Sequence, residues 1–184
     1  ASLLPKTDPE NDGIIKRKDL GMIRGRSRKE QLRMAKEFGI DDPPNAGGGC
    51  LLTDPAFSLR AKDLFNHVHT PTINDIDLLK IGRHFRLDKN TKLVVGRNKD
   101  ENETIEGLAL PNDILLEAKE HVGPIALLRG YDMEKYVEFA AKITLRYSDA
   151  PKGQTDIVTV QKENTLTEIS VSKAEETSYR KFRI

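Results

Sequence analysis

Hydrophobic residues along this chain switch between a period near 3.6 and a period of 2, and the switches predict an α+β fold. Residues 1–13 follow neither period and carry Pro5, Asp8, Pro9, Asp12 and Gly13, which predicts a loop or an arm. Ser27 stands three residues before Glu30 in a capping-box pattern, and Leu32, Ala35 and Phe38 recur at helical spacing. A short helix from about residue 28 to 38, stopped at Gly39, is expected. The run DDPPNAGGG over 41–49 breaks all regularity and marks an internal boundary. Past it, Thr53 or Asp54 as cap and Pro55 at the first helical position open a second helix, with Phe57, Ala61, Leu64, Phe65 and Val68 as its buried face.

The second half alternates strands with helices. HFRL and KLVVGR flank the turn-forming Asp88 to Thr91 and predict a β-hairpin. A helix over 101–108, a second short one over 111–120 and a buried strand over 124–128 follow. Asp132 to Tyr147 is the most regular helical stretch, with Met133, Tyr136, Val137, Ala140, Ile143, Thr144 and Tyr147 along one side. TDIVTV and LTEISV then alternate as a second hairpin. The expected architecture is a mixed or antiparallel sheet built from hairpins and packed with helices.

Composition narrows the function classes. No apolar run approaches the ~20 residues of a membrane span, and the first residues lack the basic and apolar regions of a signal peptide, so a cytoplasmic protein without a membrane partner is expected. One cysteine makes no internal disulfide, and four scattered histidines give no metal-ligand spacing, so no metal site is expected. Zero Trp leaves few platforms for a single-strand binder that relies on rows of aromatic rings. The balance of 30 Lys and Arg against 29 Asp and Glu conceals a segregation. Lys16 to Lys36 holds nine basic and two acidic residues, whereas Asn98 to Glu120 holds seven acidic and two basic ones. Such asymmetry suits either a polyanion-facing side or a solvated helix face.

Candidate chemistry is concentrated at a few positions. Arg24, Arg26, Arg28 and Lys29, interleaved with glycine in IRGRSRK, suit phosphate contacts, and the planar guanidinium takes two phosphate oxygens at once. Arg83, Arg86 and Arg97 fall on or beside the first hairpin, where the register decides which of them share a face. Asn98 and Asn102 lie four apart on the following helix and suit either capping or contacts to a nucleic acid. Cys50, beside Gly47 to Gly49, is either a small buried residue or a reactive thiol favoured by the cap of the next helix. His84 reads as a partly buried strand residue, and Asp100, Glu101 and Glu103 as acids favoured by a helix start.

The strings IRGRSRKEQLRMAKEFGI and GGGCLLTDPAFSLRAKDL resemble the end of the PP-loop ATPase domain, and the junction after it, in tRNA thiolation proteins related to the tRNA thiouridylases and ThiI. LLKIGRHFRLDKNTKLVVGRNKDENETI resembles the NFACT-R-type RNA-binding domain attached to that group. The resemblance implies residues 1–49 as the tail of a PP-loop-type domain and linker, and 50–184 as an NFACT-R-like RNA-binding domain. It implies an ATP-dependent sulfurtransferase in the complete protein, with ATP and magnesium held by a preceding domain, because the chain carries no SGGxDS-type loop. This portion alone is then expected to bind and position RNA, specifically tRNA, without adenylating it and with no cofactor of its own. Arg24, Arg26, Arg28, Lys29, Arg83, Arg86 and Arg97 would contact phosphates, with hydrogen bonds from Asn98 and Asn102. Two alternatives stand beside this reading: a sulfurtransferase component in which Cys50 accepts sulfur from a donor protein, and a scaffold module that uses the basic run for docking.

Overall fold

The computed structural model describes residues 4–21, 23, 27–41, 43 and 50–184. The chain divides into two compact units, Ala1–Cys50 and Leu51–Ile184. In the first, α1 (Asp8–Asn11) begins at Thr7, whose backbone N–H donates to the Glu10 carboxylate at 2.8 Å. The Arg17 guanidinium donates to the same carboxylate and to the carbonyls of Leu4 and Pro5. Arg17 therefore ties its unit together, and it holds the Glu10 carboxyl down at about 2. The helix expected over 28–38 is α2 (Lys29–Glu37). Its expected capping box does not form, because Glu30 pairs forward with Arg33 and the helix start falls on Arg28, whose side chain makes no capping bond to the first turn. Of its apolar stripe only Ala35 is buried, while Leu32 and Phe38 are exposed.

The second unit carries the sheet. α3 (Pro55–His67) begins where Asp54 accepts from the Phe57 N–H at 2.7 Å, with Pro55 in the first turn as expected. A reciprocal Thr72 and Asp75 box starts α4 (Ile73–Leu78). Then follow β1 (Arg83–Arg86), β2 (Thr91–Val95), α5 (Lys99–Leu108), β3 (Ile114–Ala118) and β4 (Ala126–Gly130). A 3-10 turn (Met133–Tyr136) leads into α6 (Val137–Arg146), and β5 (Thr155–Lys162), β6 (Thr165–Ser172) and α7 (Glu176–Tyr179) complete the unit. The six strands form one sheet in the order β1-β2-β4-β3-β5-β6, and every pairing is antiparallel. The expected α+β fold thus takes the antiparallel form. The stretch expected as a helix over 111–120 is β3 instead. It sits between β4 and β5, where Ile114 and Leu116 point into the core, and that burial outweighs the helical preference of Leu, Glu and Ala.

Alternation divides the sheet into two faces. Phe85, Leu93, Val95, Ile114, Leu116, Leu128 and Val158 pack with α6 and Tyr179 on one side. Val94 and Leu127 meet Leu78 of α4 and Ile105 of α5 on the other. Phe57, Ala61 and Leu64 of α3 gather around Leu79, while Phe65, expected on that face, is exposed. The outer edge of β1 is covered by the chain's last residues, with a bridge from Phe85 to Arg183 and a bond from the Ile184 N–H to the His84 carbonyl. Among the described residues no helix is long and apolar enough to cross a membrane.

His84 is 1% exposed, and its Nε2 lies 2.7 Å from the Ile81 carbonyl. Burial, reinforced by Lys92, holds its pKa well below the ordinary 6.5, so the folded protein keeps the ring neutral. The stability this supplies is complete above pH 6.5 and is lost as pH falls toward the lower folded value, by up to about 1.4 kcal/mol per pH unit. In urea titrations between pH 7 and 5, the stability difference between wild type and His84→Gln should therefore shrink as the pH drops. A difference independent of pH would refute the neutral buried ring.

Candidate nucleic-acid interface

At the end of the sheet where β1 begins and β2 finishes, Arg83, Arg97, Asn98, Lys99, Asn102 and Tyr147 surround an open cleft of about 400 Å³. One buried carboxylate organises it. Glu101 reaches back from the first turn of α5, accepting from the backbone N–H of Arg97 at 2.8 Å and of Gly82 at 3.2 Å. It also takes the Arg97 guanidinium, with Nη2 to Oε1 at 2.6 Å. Burial alone would raise its pKa, but the Arg97 guanidinium and the two N–H groups outweigh that and hold the carboxyl below its usual range. Glu101 thus fixes the loop between β2 and α5 while Arg97, with a side chain 44% exposed, still reaches the cleft.

The two asparagines hold the cleft's walls. Asn98 caps α5, its Oδ1 accepting from the Glu101 N–H at 2.9 Å. Asn102 bridges to the opposite wall, with Oδ1 accepting from the Ile125 N–H at 3.1 Å and Nδ2 donating to the Gly123 carbonyl at 3.2 Å. That bridge needs glycine at position 96, since a Cβ there would lie 2.1 Å from Asn102 Oδ1. The Arg83 guanidinium lies 4.5 Å from the centre of the Tyr147 ring and donates to the Gly96 carbonyl at 2.9 Å. Stacking of this kind orients a guanidinium without neutralising it. Burial, with the neighbouring Tyr179, pushes the Tyr147 hydroxyl up to about 12, so the ring stays neutral. The positive end of the α5 dipole points into the same space.

A second cleft of about 460 Å³ follows at the C-terminal end of α6, lined by Arg146, Lys152 and Lys173 together with Glu175 and Glu176. Lys173 donates to the Ser148 carbonyl at 2.9 Å, and burial followed by repulsion from Arg146 and Lys152 lowers its pKa. Arg146 and Tyr147 are chain neighbours, one on each cleft. Cationic side chains therefore continue along this end of the sheet.

Of the residues singled out in the sequence, the structure brings together Arg83, Arg97, Asn98 and Asn102. Arg86 is carried elsewhere. Alternation puts it on the opposite face from Arg83, where Asp63 binds it through Nη2 at 2.6 Å and Nε at 3.0 Å. Arg28 and Lys29 lie in the first unit, half-buried and exposed respectively at the start of α2. Arg24, Arg26 and the glycine run beside Cys50 lie outside the described residues, and Cys50 is exposed. Glu101, Tyr147 and Lys99 at the first cleft, and Arg146, Lys152 and Lys173 at the second, escaped the sequence. Glu101 looked like an ordinary helix-start acid although its spacing of four from Arg97 signals a pair. Tyr147 looked like one more apolar position of its helix, and nothing in sequence joins Lys173 to Arg146. Among the described residues no group of three or more His, Cys, Asp or Glu side chains could hold a metal ion.

Residues 82–183 match the family described as the NFACT protein RNA binding domain. No curated protein matches the chain. Among solved structures, the C-terminal part of the fibronectin/fibrinogen-binding protein from Streptococcus suis is similar at 14% identity and a TM-score of 0.45, covering 84% of this chain and 75% of that one.

Replacing Glu101 by Gln keeps the shape and removes the charge that holds Arg97. A loss of about 2 kcal/mol in urea denaturation at pH 7 is expected, as for a hydrogen bond to a charged group. Because folding lowers the Glu101 pKa, its contribution is present above the ordinary carboxyl range and fades as pH falls through it. The gap between wild type and Glu101→Gln should accordingly close below about pH 4.

Proposed function

Since this chain belongs to the NFACT protein RNA binding domain family, we propose that it binds RNA phosphates along the cationic end of its sheet. The convergence of Arg83, Arg97 and Lys99 on one cleft beside the α5 N-terminus carries the reading. Arg83, braced on Tyr147, and Arg97, braced by Glu101, present guanidinium groups that lose little freedom when a phosphate arrives. Lys99, with a side chain 87% exposed and Glu103 at 3.7 Å, adds a further charge, and Arg146, Lys152 and Lys173 extend the track. Asn98 and Asn102 act through the walls they hold, and Arg86 acts on stability through Asp63. Contacts of this kind position a strand by its backbone and give little base specificity.

The finer assignment is that the RNA is tRNA and that the parent protein belongs to sulfur modification. The strings around Arg24 to Lys29 and Cys50 support it, together with the exposure of Cys50, which a sulfur acceptor requires. ATP and magnesium belong on this reading to a preceding domain, and a donor protein supplies the sulfur. A Cys50 thiol that labels slowly and titrates above about 8.5 would remove it from that role.

Titration of the full chain with tRNA at 50 and at 200 mM salt tests the RNA reading. Affinity should fall steeply with salt, because each neutralised phosphate adds about −0.7 to −0.9 to the slope of log K against log salt. Arg83→Ala and Arg97→Ala should each weaken binding and reduce that slope by about 1. Arg86→Ala should leave the slope unchanged and lower the melting temperature. Binding by Arg83→Ala and Arg97→Ala indistinguishable from wild type would exclude this cleft.

A further inference from the structure

On the sheet face turned toward α3 and α4, three cations stand in a row. Arg86 on β1 is the register partner of Lys92 on β2, and Lys92 is the register partner of Arg129 on β4. Like charges directly opposite one another on neighbouring strands are destabilising unless they are answered. The outer two are answered: Asp63 takes Arg86 at 2.6 Å, and Asp113 and Asp75 take Arg129 at 2.6 and 2.9 Å. The middle one has only a shared answer. Its nearest acid is Asp63 at 3.6 Å, a carboxylate already engaged by Arg86. Its side chain is 10% exposed, so water makes up little of the deficit. Burial, opposed by Asp63 and reinforced by Arg86, pushes the Lys92 ammonium down to about 8.

Lys92 lines a cleft of about 420 Å³ that opens toward the other end of these strands from the cationic cleft described above. The volume is that of an ordinary small-molecule site. Its inner surface is apolar, from Leu64, Leu78 and Val94, all buried. Three aromatic rings, His67, His69 and Tyr131, stand around its mouth, and Tyr131 is 77% exposed. An apolar floor, exposed rings and the cations Arg86, Lys92 and Arg129, against one lining carboxylate, Asp75, suit a flat ring system that carries a negative charge. Unstacked bases are held in this manner, between aromatic side chains and donors.

We propose that this cleft takes one nucleoside monophosphate, free or as the 5′-phosphorylated end of an RNA, with the phosphate against Lys92 and the base over the apolar floor. The choice of a nucleotide among flat anions rests on the RNA-binding reading. The site itself does not share residues with the cationic cleft. Binding a phosphate here gives Lys92 a second acceptor beside the Asp63 carboxylate that it shares with Arg86.

Calorimetric titration of the full chain with uridine 5′-monophosphate, uridine and inorganic phosphate tests the proposal. Saturable binding of the monophosphate is expected, with uridine and inorganic phosphate each at least tenfold weaker. Lys92→Met should weaken the monophosphate at least tenfold while keeping or raising the melting temperature, because it removes a buried charge whose acid, Asp63, keeps its bond to Arg86. Tyr131→Ala, at an exposed position, should weaken it severalfold without touching the fold. Arg83→Ala and Arg97→Ala should retain monophosphate binding whatever they do to tRNA, which separates the fate of this site from that of the cationic cleft. Competition by 5′-phosphorylated oligouridine, and not by its 5′-hydroxyl form, identifies the RNA end as occupant, whereas competition by neither identifies the free nucleotide. No saturable binding of the monophosphate, equal binding of uridine or of inorganic phosphate, or Lys92→Met binding like wild type would each overturn it.

Discussion

The Glu101 carboxylate is the point on which the cationic end of the sheet depends. It gathers the backbone just before β1, the backbone just after β2 and the Arg97 guanidinium onto one helix turn. Without it the two backbone N–H groups and the part-buried guanidinium would lose their shared acceptor, and an unpaired buried donor or part-buried cation is costly. One negative charge placed inside therefore lets several positive charges face outward. Nucleic-acid recognition by preorganised guanidinium groups requires that arrangement, because an arginine that must first be ordered spends part of its binding energy on its own side-chain entropy.

Two neighbouring faces of β1 illustrate how the same residue type takes different duties. Arg83 and Arg86 are three residues apart on one short strand, so the pleat sends them to opposite sides. Arg83 meets an aromatic ring and a carbonyl, keeps its charge available and lies at an open cleft. Arg86, with a side chain only 15% exposed, meets the Asp63 carboxylate and holds α3 to the sheet. Counting basic residues in the sequence treats the two as equals. The environment of each, set by strand parity, leaves one charge facing an open cleft and ties the other into packing.

The elements whose signals are local were legible from residues alone. Asp54 with Pro55, the turn over Asp88 to Thr91 and the alternation of TDIVTV each declare themselves within a few positions. β3 did not, because Ile-Leu-Leu-Glu-Ala suits a helix until β4 and β5 lie on either side of it. The capping box at Ser27 failed for a related reason, since Glu30 found a stronger partner in Arg33 than a backbone N–H. Half of the cleft was visible as Arg83, Arg97, Asn98 and Asn102. The rest, Glu101, Tyr147 and the lysines beyond, gains meaning only from long-range neighbours. The charge row of Arg86, Lys92 and Arg129 is of that kind too, for it exists only once β4 is seated beside β2.

The strand order has a consequence for the sequence of events during folding. β1 with β2, and β5 with β6, are hairpins closed by short turns, and each can form early from a small stretch of chain. The β2 to β4 ladder closes over all of α5 and β3, and the β3 to β5 ladder closes over β4 and α6, so both bear a larger loop-closure entropy. The cationic cleft takes one wall from the β1 and β2 hairpin and the other from the segment leading into β4. It comes into being only with the slow central pairing. Partly folded chains with both hairpins made thus still lack the cationic cleft, which takes shape once β4 is seated beside β2.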